Sequence, residues 1–488
     1  MDRRFVLAGM ALTLISCGDD PAPVVLEPWD PPAQPWVRSD RARLRDDADR
    51  VLVFRGINAR VEGLFDVTFD DGRLPLEEIP AFTIDDARRM RALGLSALRL
   101  PINWSGIEPV RGEYSEAYLE RLEEVVDLCR QAGVHVMIDF HQDAYSKEIG
   151  EDGAPLWAIH PPPDELLGGP LGDLEARRTS EQVLRAFAGF FDTRDEDTTD
   201  VMLQAAYFAM ARHVAERFAD DPWVLGYDLY NEPIADDRLL VDFHARMAAE
   251  LREVDDRHLM FFEPNSVRNL TEMGPRASAP FPDDGGAYAV HLYTLAFRDP
   301  RNELDTVTLE RLRPNVERGL TEASLFDVPM FVGEWGIRPD SPGSDDYVRF
   351  MHELFDETFT SATVWLWKEN SQGSWGFHDY DPESGAFTER DAVVRAHARV
   401  YAEAIAGEPI SMRYDLDARR FELVYEGRAD DAPSVVYVPD AAYFAPSFTV
   451  RCDERAIEPT PPRDPATGRV EIVCGGPGRR TVVLEATD

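Results

Sequence analysis

The chain of 488 residues is too long for one ordinary hydrophobic core, so one large domain and one small one are expected. Its 44% hydrophobic content, with 26 Phe, is ample for a packed interior and excludes disorder over most of its length. Lys plus Arg total 51 against 91 Asp plus Glu, a formal net charge of −40; this argues against nucleic acid as a partner and against electrostatic docking on anionic lipid, both of which need clustered cations.

Met1-Asp2-Arg3-Arg4 is a short basic start, and residues 5–15 form an apolar run too short to span a bilayer. Leu14-Ile15-Ser16-Cys17 resembles a bacterial lipobox, which implies a signal peptide over 1–17, acylation of Cys17 and membrane attachment through it. A plain secretory signal with an incidental Cys is the alternative, and Arg3-Arg4-Phe5 is also loosely twin-arginine-like. Either reading predicts an exported protein, a cell-envelope lipoprotein or a secreted one. Residues 18–40 are rich in Pro and Asp and read as a tether.

From Val51 the chain alternates short apolar runs with amphipathic stretches. Runs over 51–57, 96–100, 134–140, 224–230, 258–262, 287–293, 330–332 and 362–367 read as strands; 83–93, 115–132, 203–218 and 236–254 read as helices between them. Eight such units predict a (β/α)8 TIM barrel over 41–406 rather than an open doubly wound sheet. A Pro- and Gly-rich insertion interrupts it at about 141–200. Within it, Val183, Leu184, Phe187, Phe190 and Phe191 share one helical stripe, which either packs on the barrel or forms an apolar lip beside a cleft.

After Gly407 the pattern changes to short alternating runs separated by turn residues, and a small C-terminal antiparallel β-sandwich is expected over 407–488. Cys452 and Cys474 close a loop there and are the candidate disulfide, whereas Cys129 lies on a helical apolar stripe and reads as a buried small hydrophobe.

In a TIM barrel the active site lies where the strands end. Asn58 and Arg60 follow the first run and Arg99 lies in the second. His141, Gln142 and Asp143 follow the third, Asn231-Glu232-Pro233 the fourth and Glu263 the fifth. His291 and Tyr293 end the sixth, Glu334-Trp335-Gly336 closes the seventh, and Trp367-Lys368-Glu369 closes the eighth. Any one of these alone has an ordinary structural explanation. Two carboxylates at the ends of strands four and seven, however, face each other across the mouth, and such a pair about 5 Å apart performs double-displacement glycoside chemistry.

Leu98-Arg99-Leu100-Pro101, Tyr230-Asn231-Glu232-Pro233, His291-Leu292-Tyr293 and Gly333-Glu334-Trp335-Gly336, in this order, resemble glycoside hydrolase family 5, in the clan of barrel glycosidases. The runs Asp139-Phe140-His141-Gln142-Asp143-Ala144-Tyr145-Ser146 and Gly153-Ala154-Pro155-Leu156-Trp157-Ala158 are similar to its endoglycoceramidase group, as is the appended small β domain. The loop Asn58-Ala59-Arg60-Val61-Glu62-Gly63 lacks the Lys expected of better-known members, which leaves room for a galactosylceramide-preferring relative.

The resemblance implies Glu232 as acid/base, with a pKa raised by burial and by a charged Glu334, and Glu334 as the ionised nucleophile. It implies Asn231 on the sugar 2-hydroxyl, with Arg99 and Tyr293 holding Glu334. His141 and His291 are expected to orient polar groups, Asp143 to accept from sugar hydroxyls, and Trp367 to be the sugar platform. Trp157 and Trp375 are either platforms or loop packing. Lys368 either binds substrate or pairs with Glu369, and Glu263 is a binding or structural carboxylate. No metal site or cofactor is expected, because the Cys count is low and the His residues lack ligand spacing.

The expected substrate is a glycosphingolipid, cut between glycan and ceramide, with Phe65, Phe69, Phe187, Phe190 and Phe191 supplying an apolar slot. Alternatives are a galactosylceramide-type specificity, an endo-β-glucanase or β-glucosidase, and a non-enzymatic surface glycolipid-binding lipoprotein. A monomer is expected.

Overall fold

The computed structural model describes residues 35–191, 199–271, 279–293, 295–296, 307–369, 375–429 and 432–487. The signal segment 1–17, Cys17 and most of the 18–40 tether lie outside the described residues, as do 192–198 of the insertion. Among the described residues no helix is long and apolar enough to cross a membrane.

Eight parallel strands close into a barrel: Arg55–Asn58, Ala97–Ile102, His135–Phe140, Val224–Asp228, Leu259–Phe262, Gly286–Leu292, Met330–Trp335 and Ser361–Val364. They are buried along their whole lengths, which is why they read as continuous apolar runs. The helix Glu116–Ala132 illustrates the outer layer. Ser115 accepts from the Tyr118 amide at its start, Gly133 at φ +77° ends it, and Leu119, Leu122, Val125, Val126 and Cys129 are its buried face.

The second unit is an antiparallel sandwich of two sheets over a common core that includes Val51, Tyr401, Phe421, Val436, Val450 and Leu484. One sheet runs Gly407–Asp415, Arg420–Gly427, Gly478–Thr487, Ser447–Cys452 and Arg455–Ala456. Its neighbour mixes chain ends: Arg38–Asp40, Arg43–Arg45, Val51–Leu52, Tyr401–Ile405, Ser434–Tyr437 and Arg469–Ile472.

Strand pairing therefore differs from the sequence reading at both borders. The run 51–57 splits, its first two residues pairing in the sandwich, and the end of the tether enters a strand. Residues 401–405 also belong to the sandwich rather than to the barrel. Cys452 and Cys474 form a disulfide (S–S 2.04 Å).

The sandwich braces the barrel where the strands begin. Buried Arg91 pairs with Glu403 at 2.6 Å, and Arg469 reaches the same carboxylate at 2.7 Å. Tyr401 Oη donates to the Gly94 carbonyl at 2.8 Å, and Asp356 bridges Arg55 (2.7 Å) and Arg399 (3.0 Å). The opposite, strand-ending face is left to the long loops.

Candidate active site

Arg99, fully buried in the second strand, organises the mouth. Its guanidinium meets Glu334 at 2.8 Å, Asp228 at 2.8 Å, Asp139 at 3.1 Å and Glu263 at 3.1 Å, and donates to the side-chain oxygens of Asn231 (2.8 Å) and Asn58 (3.1 Å). A buried cation survives only when compensated in this way. Gly333 gives it room: a Cβ there would stand 2.9 Å from His291 Nε2 and 3.5 Å from Arg99 Nε.

Glu334 ends the seventh strand, held by Arg99 Nη1 on Oε1 and by the Tyr293 hydroxyl, which donates to Oε2 at 2.7 Å. Glu232 follows the fourth strand with φ +42°, a conformation a non-glycine residue adopts only when its surroundings enforce it. Glu263 Oε2 accepts the Glu232 amide at 3.0 Å, and Gln142 Nε2 donates to the carbonyls of Asn231 (2.6 Å) and Glu232 (3.1 Å). Glu263 is thus the structural carboxylate that aims the acid/base.

Donor atoms of Glu232, His291 and Glu334 all lie within 4.8 Å of one another. A carboxylate pair this close suits a covalent glycosyl intermediate, since the inverting alternative needs a wider gap. The three donors also meet the spacing of a metal site, which their positions 232, 291 and 334 on three separate strands do not reveal in the sequence.

The proton is placed differently from the sequence expectation. Burial alone would raise Glu232. Instead His291, whose Nδ1 lies 2.8 Å from Oε1, together with Arg178 and Asn269 (Nδ2 to Oε1, 3.0 Å), holds it down at about 2. Burial disfavours the His291 cation, but Glu263, Glu334 and Glu232 outweigh it and raise His291 well above its ordinary value. Glu334 is raised, because burial and the Glu232 charge exceed the pull of His291 and Arg99. In the free protein His291 thus favours the Glu232 carboxylate, and that carboxylate in turn favours the His291 cation.

His141 lies at the mouth. Burial opposes its charge, but Asp139, at 2.6 Å from Nδ1, and Asp152 lift it to about 9. Its ring stacks on Trp365 (centroids 5.9 Å apart, interplanar angle 13°). Trp365 directly follows the eighth strand and is half-buried, so its ring, rather than that of Trp367, is open at the mouth. Trp367 is 2% exposed, donates Nε1 to Asp86 at 2.9 Å and packs edge-on against His378. Lys368 also binds Asp86, at 2.5 Å, rather than Glu369.

Asp143 is engaged by Arg178 of the insertion, Nε to Oδ1 at 2.7 Å, so an ion pair and not a free acceptor stands there. Trp157 packs edge-on against Trp104 at 5.1 Å and donates to the Glu108 carbonyl, which is loop packing. Trp375 stands at the mouth, its ring 6.0 Å from that of Tyr293.

The predicted lip is absent as such. Phe187, Phe190 and Phe191 are buried against Tyr145, Tyr230 and Phe243, Phe65 is buried beneath Arg60, and Phe69 lies under Arg73. A small cleft, its lining more apolar than polar, lies instead beside Trp365 and Trp375, lined also by Ile337, Pro339, Val348 and Phe377. Sequence reasoning also missed Asp139, Asp228, Asn269 and Arg178. The first two had a signal, since a lone carboxylate inside an apolar strand needs a buried cation.

Comparison with known proteins agrees with this geometry. Residues 80–371 match the model of cellulase (glycosyl hydrolase family 5), and residues 399–483 match the glycoside hydrolase family 5 C-terminal domain. Endoglycoceramidase I of Rhodococcus hoagii (strain 103S) is 26% identical over 92% of this chain and 88% of its own. An endoglycoceramidase of Cyanea nozakii is 26% identical over 76% of this chain and 78% of its own. The solved lactosyl-enzyme intermediate of endo-glycoceramidase II from Rhodococcus sp. superimposes with a TM-score of 0.74 at 28% identity, covering 92% of this chain and all (100%) of that one.

Proposed function

The chain belongs to glycoside hydrolase family 5, and on that premise we infer that it is a retaining glycosidase cutting the β-linkage between the glycan and ceramide of glycosphingolipids. The observation that carries the chemistry is the approach of Glu232 and Glu334 to within 4.8 Å. Glu334 attacks the anomeric carbon while the glycosidic oxygen takes a proton from Glu232, releasing ceramide and leaving a glycosyl ester on Glu334. Glu232 then takes a proton from water, the hydroxide attacks the same carbon, and Glu334 leaves as carboxylate. Donation by Glu232 draws on the proton that His291 Nδ1 holds 2.8 Å away. Asn231, oriented by Arg99, faces the sugar 2-hydroxyl. A binding protein alone would not need this pair.

Two observations support ceramide as the aglycone. The Cyanea nozakii and Rhodococcus hoagii relatives, matched over 78% and 88% of their own length, are endoglycoceramidases, and a small cleft of mainly apolar lining lies beside Trp365 and Trp375. The deciding experiment supplies glucosylceramide, galactosylceramide, lactosylceramide and carboxymethyl-cellulose in detergent. Release of intact ceramide with a first-formed β-configured sugar is expected, and the preferred ceramide identifies the first sugar. Turnover of cellulose alone would refute the glycolipid reading.

We also propose that the protein is exported, and anchored through an acylated Cys17. The 1–17 pattern supports this, as does the Cys452–Cys474 bridge, a bond retained in oxidising compartments. Fatty-acid labelling that survives Cys17→Ser would refute the anchor. It acts as a monomer in this reading, since one chain supplies both carboxylates and every group that holds them.

A further inference from the structure

The insertion folds back onto its own beginning, where the chain leaves the third strand and passes the acid/base. The backbone is strained at two places there. Ala144 (φ +55°) and Tyr145 (φ +73°) stand consecutively in the left-handed region, and Glu232 stands in it at φ +42°. Non-glycine residues hold such conformations only where their surroundings over-determine them. Gln142 couples the two places. Its Oε1 accepts the Tyr145 amide at 2.7 Å, its Nε2 donates to the Asn231 and Glu232 carbonyls, and its own carbonyl accepts from Asn231 Nδ2 at 3.0 Å.

The short helix Leu174–Arg178 grips this loop. Arg178 forks over Asp143, the residue after Gln142: Nε donates to Oδ1 at 2.7 Å and Nη2 to Oδ2. Arg177 beside it donates to the carbonyls of Gly150 (2.9 Å) and Gly168 (3.2 Å), and the Asp143 carbonyl accepts the amides of Glu151 (3.1 Å) and Asp152 (3.2 Å). An Arg–carboxylate fork fixes direction as well as distance. The two side chains are 31% and 18% exposed, where an ion pair adds little stability, so the consequence of this one is geometric.

We propose that Arg178 is a positioning residue for the acid/base: clamped on Asp143 it holds Gln142 in place, and Gln142 holds the Glu232 backbone so that the carboxyl meets the leaving oxygen. The inference rests on the glycosidase reading, in which Glu232 supplies that oxygen's proton. Its sign is opposite to that of a purely electrostatic role. Against burial, His291 and then Arg178 and Asn269 keep Glu232 ionised, so losing the Arg178 charge alone would favour the protonated acid and hold or raise turnover. Losing the clamp lowers it.

The test follows kcat/KM, which reports formation of the glycosyl ester, on the 2,4-dinitrophenyl, 4-nitrophenyl and phenyl β-glycosides and the ceramide glycoside of one sugar: glucose, galactose or lactose, whichever the parent cleaves. Arg178→Met should lose about tenfold to a hundredfold on the phenyl and ceramide glycosides, whose leaving groups need a proton, and no more than about twofold on the dinitrophenyl glycoside. Gln142→Ala should repeat that slope, and the double variant should lose no more than the worse single one, because both break one relay. Arg178→Lys keeps the charge without the fork; it should fall between parent and Arg178→Met with the same slope, and it carries the test where the Met variant does not fold. Equal losses across the series, as a merely structural brace or a lost sugar contact gives, losses that add in the double variant, or unchanged turnover by Arg178→Met would overturn the proposal. A parent that cleaves none of these glycosides would instead sink the glycosidase reading, and the proposal with it.

Discussion

Replacing Glu334 by Gln should abolish turnover and stabilise the fold, and the two effects have one cause. The amide keeps the carboxylate's shape, so Oε1 still accepts from Arg99 Nη1 (2.8 Å), and the amide nitrogen can donate to a turned Tyr293 hydroxyl (2.7 Å). What is lost is the negative charge. Glu334 shares the mouth with four other carboxylates, Asp139, Asp228, Glu232 and Glu263, against Arg99 and the two raised histidines His141 and His291. Without an ionised nucleophile no glycosyl ester forms, and kcat should fall about 10⁴-fold or more, about 5 kcal/mol of barrier.

Because burial raises Glu334 above its ordinary value, its ionised form costs the folded state stability as pH rises through that raised range. Glu334→Gln should therefore be more stable than the parent at pH 7, by about 1–2 kcal/mol or roughly 2–4 °C in Tm. The gap should close below about pH 4, where the parent carboxyl is already neutral. The assay is kcat on an aryl β-glycoside together with calorimetry at both pH values. Residual turnover within about a hundredfold of the parent, or a variant less stable at pH 7, would refute the reasoning.

Glu232→Ala should lower kcat about 10²–10⁴-fold on ceramide glycosides and much less on nitrophenyl glycosides, whose leaving group needs no proton; equal losses on both would contradict the acid role. The acid limb of kcat/KM should lie above the ordinary Glu value, set by protonation of Glu334, and the alkaline limb above the ordinary His value, set by loss of the His291 proton. His291→Asn removes the cation that holds Glu232 down, so the alkaline limb should move to lower pH as Glu232 carries the proton itself; an unmoved limb would exclude His291 as the reservoir. Trp365→Ala should reduce kcat/KM about a hundredfold with little change in melting, whereas Trp367→Phe should cost about 1–2 kcal/mol of stability through its lost bond to Asp86 and spare kcat/KM. The reverse pattern would restore Trp367 as the platform.

The amino-acid sequence by itself determined the barrel and its catalytic pair. Continuous apolar runs mark strands buried on both faces, and residues that end parallel strands converge on one mouth whatever the loops do, so Glu232, Glu334, Arg99 and Tyr293 were legible from strand position and motif. What depended on through-space distance was decided only by the tertiary structure. Whether residue 365 or 367 meets the sugar turns on where the last strand stops. Residues 38–52 join the sandwich because sheet pairing is made with partners hundreds of positions away. The stripe of Phe187, Phe190 and Phe191 looks alike as lip or as core until Tyr230 and Phe243 are placed against it. The mutual pull of His291 and Glu232 follows the same rule. Coulomb energy varies with separation and burial, and the 2.8 Å between His291 and Glu232 spans 59 positions of chain that no periodicity encodes.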